Sequence, residues 1–391
     1  MIKPKLSFKG TYAEWEKKRI IDICQILDSK RKPISEKNRV SGPYPYYGAN
    51  NIQDYVDDFI FAGSYILIAE DGGNFEDFQT RPIAQYVNGK FWVNNHAHIL
   101  QGINVEDTKL IFYLCEHKDI RTFINGSTRG KLTQEDLKRI EITFPVEKSE
   151  KQKIAAFFTA LDEKIRLSEQ KLNLISKIKK GIAQKLFAQD LRFKNKDGYF
   201  FDSWKSYTVG ELVDVIGGGT PSTQNPDYWD GDIYWLTPTE INSKYVHSSN
   251  RKITFDGVRN SSAKLLPKGA LLLTTRATLG ACSINNQDNP VCTNQGFQSL
   301  VCKDGVDNEF MYYVVTDSAF QKTMIQRASG STFLEISSKN LKGIVIHLPS
   351  LEEQRQIATL LSSLDKKIDC LKQRVKALKT QKASFMQQMF V

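Results

Sequence analysis

Two stretches of this chain carry apolar residues at steps of three and four, the spacing that lines one face of a helix. In 144–187 (FPVEKSEKQKIAAFFTALDEKIRLSEQKLNLISKIKKGIAQKLF) the seam runs Ile154, Phe158, Leu161, Ile165, then Leu172, Ile175, Ile182 and Leu186. In 348–390 it runs Ile357, Leu361, Leu364, Ile368, Leu371, Val375, Leu378, Phe385 and Met389. This is the heptad spacing of a coiled-coil face. Each seam is interrupted at one equivalent position, Lys179 and Lys382. A polar seam residue can fix register at a cost in stability, so replacing both lysines with Leu is expected to strengthen helix pairing and loosen its specificity. A continuous helix from Glu150 to Phe187 would be about 55 Å long. Either the two helices face each other or each packs on its own domain; the matching heptads and lysines favour the first.

The two stretches are copies. An offset of 203 takes Ile154 to Ile357, Leu161-Asp162 to Leu364-Asp365, Ile165 to Ile368 and Phe187 to Phe390. Upstream the offset is 204: Gly126-Ser127-Thr128 falls on Gly330-Ser331-Thr332, Leu137 on Leu341, Ile140 on Ile344 and Pro145 on Pro349. The chain is therefore an internal repeat, which decides its organisation before any local reading.

About 145 residues with mixed strand and turn signals precede each seam. GSYILIAEDGGNF (63–75) reads as a buried strand ending at a Gly-Gly turn, and KFWVNNHAHIL (90–100) as another strand. GALLLTTRATLG (269–280) and NQGFQSLVC (294–302) fall at comparable places, and short helical runs follow at Thr108–Glu116 and Asn308–Thr316. Both domains read as α+β. The expected boundaries are 1–147 for a first domain, 148–198 for a helix and linker, 199–349 for a second domain, and 350–391 for a last helix. The polar stretch 192–198 is the expected hinge.

Composition narrows the function classes. The 391 residues carry a net charge of +10, which suits a polyanionic partner because each cation meeting a phosphate releases counterions. No run of about 18 apolar residues occurs and the opening MIKPKLSFKG has no signal-peptide stretch, so a cytoplasmic location and no membrane are expected. The six cysteines form no C-x-x-C pair, so reduced, mostly buried thiols are expected and structural zinc is not. No phosphate loop is present; Gly217-Gly218-Gly219-Thr220-Pro221 lacks the following Lys and suits either a structural turn or one where the backbone approaches a ligand. Asn225-Pro226-Asp227-Tyr228 resembles the Asn-Pro-Pro-Tyr motif of adenine methyltransferases, but Asp replaces the second proline and no cofactor turn precedes it. His96 and His98 would share one strand face, yet no third metal ligand is evident. The chain reads as binding without catalysis, with no metal of its own.

Over essentially its full length the chain resembles the specificity (S) subunit of type I restriction–modification systems. The resemblance is carried by GPYPYYGANN (42–51), YILIAEDGGNF (65–75), FWVNNHAHIL (91–100) and NGSTRGKLTQEDLKRIEITFP (125–145). In the second half WKSYTVGELVDVIGGGTPST (204–223) and SGSTFLEISSKNLKGIVIHLPSLEEQRQIA (329–358) carry it. It implies two α/β target-recognition domains, each reading one half of a split double-stranded DNA sequence. It also implies two long helices packed antiparallel about a pseudo-two-fold axis, which set the spacer and dock modification subunits, usually two. Those partners would carry S-adenosylmethionine, and restriction subunits would use ATP and Mg; no cofactor is expected on this chain.

Arg, Lys, Asn, Gln and Thr on loops make base-edge and phosphate contacts. The candidates are Lys30, Arg31, Lys32, Arg39, Asn50, Asn51, Arg129 and Lys131 in the first domain, with Tyr44, Tyr46 and Tyr47 as stacking groups. In the second they are Thr220, Ser222, Thr223, Lys244, Arg276, Thr278 and Asn294. The Arg31-Lys32 cluster and the strand-end Arg276 stand out among them. Two other readings remain open at this stage: a self-contained nuclease or methyltransferase, for which no catalytic sequence is left over, and a coiled-coil scaffold that binds only proteins.

Overall fold

The computed structural model of the chain describes residues 4–8, 14–126, 129–276, 278–330 and 334–390. The Ser127-Thr128 and Ser331-Thr332 steps of the repeat lie outside the described residues. The chain divides into two compact units, Met1–Lys171 with Leu371–Val391, and Leu172–Cys370. The divisions fall inside the two seam helices, Lys148–Phe187 and Leu351–Met389, so each unit contains one end of each. Both helices open on acidic residues, Glu150 and Glu352-Glu353, which favour the positive end of a helix. The second is further capped by Ser350, whose hydroxyl accepts from Glu353 N at 3.4 Å. The first ends at Phe187, and Gln189 then takes the left-handed conformation (φ 63°) that turns the chain away.

The first unit holds a six-stranded sheet in the order Cys24–Ile26, Ala97–Gly102, Phe61–Ala69, Ala84–Val93, Ser41–Tyr47, Ile52–Val56. Alternation along its central strand sorts side chains to opposite faces. Tyr65 and Leu67 pack with Val87, Phe91 and Ile99. Ile66 and Ile68 pack with Leu110 and Ile111 of the helix Val105–Glu116, in one core with Ile154, Phe158, Leu161, Met386 and Met389 of the seam helices. A two-stranded pair closes the domain, with Trp15 opposite Pro145.

The second unit repeats this plan with a divided sheet and with a helix, Ser318–Arg327, where the first unit has the 3-10 turn Arg121–Phe123. The ten-residue strand Ala84–Val93 is replaced by Cys282–Ile284 and Val291–Thr293, which lie in two different sheets. Pro290 precedes the second piece; proline has no N–H to extend a ladder. The result is a four-stranded sheet (Val213–Gly217, Phe297–Cys302, Leu271–Thr274, Cys282–Ile284) and a three-stranded one (Arg251–Ile253, Trp229–Leu236, Val291–Thr293).

Within each unit the helix ends run antiparallel. In the first, Phe157 meets Phe385, Asp162 meets Lys382, and Glu169 meets Lys379. In the second, Lys179 meets Asp365, and Leu186 shares a core with Ile357 and Leu361. Ile154, Phe158, Leu161, Ile165, Leu186, Ile357, Leu361, Ile368, Leu371 and Met389 are buried; Leu172, Ile175, Ile182, Leu364, Val375, Leu378 and Phe385 are half-buried. The gap in the first seam is filled by Ser168, buried with its hydroxyl on Lys164 O at 2.7 Å, where the second copy has Leu371.

Three sequence expectations need correction. The stretch 90–100 is two strands, because Asn94 Oδ1 accepts from His96 N at 2.8 Å and turns the chain between them. His96 therefore sits in that turn, and only His98 lies on a strand. The expected hinge at 192–198 is anchored at its start: Arg192 donates to Glu353 (2.8 and 3.1 Å) and to Asp202 O (2.8 Å).

Candidate nucleic-acid interface

In the first unit four loops converge at the end of the strand Phe61–Ala69. Asn50 Nδ2 donates to Gly72 O (2.9 Å), Gly72 N donates to Gly130 O (3.0 Å), and Glu70 N donates to His96 O (2.8 Å). The rim so formed is strongly charged. Asp71 accepts from exposed Arg129 at 2.6 Å and lies 3.0 Å from His96 Nδ1, while Lys131 lies 3.4 Å from Glu70. Burial would raise the Asp71 carboxyl, but the bonds from His96 and Arg129 hold it below the usual carboxylate range. Asn50, Arg129 and Lys131 are thus brought together, with Asn51 exposed on the same loop as Asn50.

Arg31, a leading sequence candidate, turns inward. Its guanidinium donates to Glu70 (2.6 Å), Ala97 O (3.0 Å), Asn95 O (3.2 Å) and Asp28 O (3.0 Å), and its side chain is only 16% exposed. With its donors occupied by the protein, Arg31 braces the rim from beneath, which corrects its expected role. Beside it Asp28 accepts from Ile99 N (3.0 Å), Gln134 (3.1 Å) and buried His98, whose Nδ1 lies at 2.6 Å. Lys30 and Lys32 are exposed. Arg39 stacks on the Tyr46 ring at 4.5 Å and pairs with Asp54 at 3.3 Å, and Tyr46 is fully buried, so that tyrosine is a packing residue rather than a stacking platform. Tyr44 and Tyr47 are half-buried against Phe59 and Phe91.

The second unit has the same kind of rim. Thr220 donates to Gln295 (2.6 Å), Trp235 Nε1 donates to Gly219 O (2.8 Å), and Thr275 N donates to Gly296 O (2.8 Å). Gly218 and Gly219 are close-approach positions, since a Cβ would fall within about 2 Å of Asn294 O and Ser262 Oγ respectively. Arg276 is exposed and donates to Glu335 at 3.0 Å, and Thr278 is exposed beside it. Asn294 is half-buried, with Oδ1 accepting from Gly296 N at 2.8 Å. Ser222 and Thr223 are exposed on the loop that leads into Asn225-Pro226-Asp227-Tyr228, a single 3-10 turn capped by Asn225.

Lys244 does not join that rim. Its ammonium pairs with Glu309 and donates to the Tyr313 hydroxyl (2.9 Å) and Ser362 (2.8 Å), with the side chain 12% exposed. It belongs to a junction between domain and seam helix, which corrects its expected role in DNA contact.

Part of that junction, a seam lysine with an aspartate and a tyrosine, is built twice. In the first unit Lys382 lies 2.8 Å from both Glu116 and Asp162, Tyr113 donates to Asp162 at 2.8 Å, and the Lys382 ammonium lies 5.2 Å from the Tyr113 ring centre. In the second, Lys179 pairs with Asp365 at 2.5 Å, Tyr313 donates to Asp365 at 2.6 Å, and Lys179 lies 5.3 Å from the Tyr313 ring centre. Burial drives both tyrosine hydroxyls far above their ordinary range, so they remain donors. Burial would lower the Lys382 ammonium, but Glu116 and Asp162 outweigh it and hold it protonated. Sequence periodicity found the lysines but not their partners. The repeat offset of 203, which carries Asp162 onto Asp365, was the available signal.

A model of the type I restriction modification DNA specificity domain matches residues 12–177 and again 202–380. The chain belongs to that family. It is 39% identical over 187 residues to the MjaIX type I restriction enzyme specificity subunit of Methanocaldococcus jannaschii, a match covering 47% of this chain and 43% of that relative. It is 27% identical over 367 residues to a putative type I restriction enzyme specificity subunit of Haemophilus influenzae, S.HindORF215P, covering 91% and 89% of the two chains. Its fold is similar to the crystal structure of a type I restriction-modification system S subunit from M. genitalium, with TM-score 0.70 and 17% identity over 100% of this chain and 99% of that one. The α+β repeat with two long helices expected from the sequence is therefore the fold of this family.

Proposed function

We propose that the chain is a sequence-specific DNA-binding subunit of a type I restriction–modification complex, in which each unit reads one half of a split target. The paired helices set the spacer between half-sites and dock two modification subunits. Those subunits carry S-adenosylmethionine and methylate adenine, and restriction subunits bring ATP and Mg. The complex works in the cytoplasm, and this chain contributes recognition and assembly rather than catalysis.

The observation that supports the reading best is the doubled plan. The junction of lysine, aspartate and tyrosine is the same in both units, while the exposed rims differ in the side chains they present. Shared assembly and divergent readout are what two different half-sites require. The test is to map methylated adenines across the genome with and without the chain. A split motif that vanishes on its deletion is the expected result; methylation of DNA by the isolated chain would overturn the noncatalytic assignment.

A further inference from the structure

The two rims share one backbone frame. Asn94 N donates to Tyr47 O (3.1 Å) and its Oδ1 accepts from His96 N (2.8 Å); Asn294 does the same with Leu236 O (3.0 Å) and Gly296 N (2.8 Å). Glu70 N meets His96 O (2.8 Å) as Thr275 N meets Gly296 O (2.8 Å), and Leu132 N meets Glu70 O (2.7 Å) as Ile336 N meets Thr275 O (3.3 Å). Lys131 opposes Asn125 as Glu335 opposes Ser329. These bonds make Asp71 the counterpart of Arg276, and Lys131 the counterpart of Glu335.

At these two matched positions the charge is reversed. The first unit has an acid at the strand end, Asp71, bridged through its backbone to Lys131 and bonded to Arg129. The second has a base at the strand end, Arg276, paired with the acid Glu335 on the closing loop at 2.7 Å. Neighbouring matched positions keep their character: Leu132 and Ile336 are buried, Leu137 and Leu341 are buried, and Thr133 and Ser337 each cap a short helix. The side chains of Arg276 and Glu335 are 52% and 42% exposed, and so open a pair contributes little to folding. Arg276, held by an unchanging frame, exposed, and opposite in charge to its counterpart, serves display rather than stability, while Asp71 keeps 23% of its side chain open on the same frame.

We infer that this strand-end position is a base-reading position of each unit, Arg276 meeting guanine and Asp71 meeting the amino group of cytosine. This rests on the DNA-reading function proposed above. A guanidinium addresses O6 and N7 of guanine with two parallel bonds, and a carboxylate accepts from N4 of cytosine. In the free chain Glu335 holds the guanidinium of Arg276, and Arg129 with His96 holds the carboxylate of Asp71; on binding, a base edge takes the place of the internal partner.

The test uses the complete modification complex in cells without background adenine methylation, with methylated sites mapped for wild type, Arg276→Ala, Arg276→Lys and Glu335→Gln, and with the chain omitted. Arg276→Ala is expected to relax one base of one half-site by about ten- to a hundredfold in discrimination, leaving the other half-site unchanged. Arg276→Lys keeps the charge and the partner but loses the fork, and relaxes the same base; Glu335→Gln keeps the motif. If Arg276→Ala yields no folded complex, Arg276→Lys decides. An unchanged motif in both Arg276 variants, or equal weakening on all sequences, overturns the inference while the specificity role stands. Methylation that persists unchanged with the chain omitted overturns that role itself.

Discussion

Lys382 lies 2.8 Å from Asp162, and the repeat makes the same bond a second time between Lys179 and Asp365. The seam lysines point at carboxylates, so the expectation that leucine would strengthen the pairing reverses. Lys382→Leu leaves Glu116 and Asp162 together without a cation where the Glu116 and Lys382 side chains are each 12% exposed. Removing one partner of such a buried pair costs about 3 kcal/mol. A fall in melting temperature of several degrees for Lys382→Leu is expected, and a rise would contradict it.

Glu150 and Glu353 are matched by the offset of 203 and are both buried, yet among the described residues only Glu353 forms an ion pair. Glu353 accepts from Arg192 at 2.8 Å and Trp204 at 3.2 Å, whereas Glu150 accepts from Trp15 at 3.3 Å and its other oxygen has no partner among the described residues. Burial raises the Glu150 carboxyl above its ordinary range. A raised carboxyl favours the fold at low pH and loses that contribution as pH rises through the folded value. Glu150→Gln is therefore expected to be neutral or stabilising at pH 7. Glu353→Gln is expected to cost about 2 kcal/mol by weakening a bidentate pair. Chemical denaturation of the two variants should separate them in sign.

Asp28 shows the opposite pH behaviour. Burial would raise its carboxyl, but His98, Ile99 N and Arg31 bring it below its ordinary value. A lowered carboxyl stabilises above the unfolded value and loses that contribution as pH falls toward the folded one. Asp28→Asn should thus be less stable than wild type at pH 7, with the gap closing below about pH 4. Melting curves across pH 3–7 check this, and a gap independent of pH would show that the charge is irrelevant.

Exchange of residues 1–143 for the equivalent domain of another specificity chain should alter one half of the methylated motif. The first unit's rim is built from loops between Asn50 and Lys131, and so moves with the exchange. Sequencing of methylated sites reads the outcome, and a change in both halves would contradict independent reading.

DNA binding by the assembled complex should weaken steeply with salt, because phosphate contacts release counterions. Titration between 50 and 200 mM salt, a range over which such proteins lose orders of magnitude, measures it. A flat response would favour a scaffold that binds proteins alone.

The sequence by itself determined the repeat, the two long helices and the family, because a heptad seam and a copied segment are linear properties. Helix Asn308–Thr316 has the limits its pattern predicts. Tertiary structure decided what the charged residues do. Arg31 and Lys244 carry the same positive charge as Arg129 and Arg276, and nothing local to them shows that burial beside Glu70 and Glu309 commits them to the interior. The charge-reversed pair was equally hidden. Asp71 matches Arg276 at an offset of 205, Asn94 matches Asn294 at 200, and Lys131 matches Glu335 at 204. Loop insertions and deletions break the alignment between them. Lys131 and Glu335 keep the repeat's own offset, but only the backbone hydrogen bonds, formed between residues far apart in the chain, put Asp71 and Arg276 in register with them.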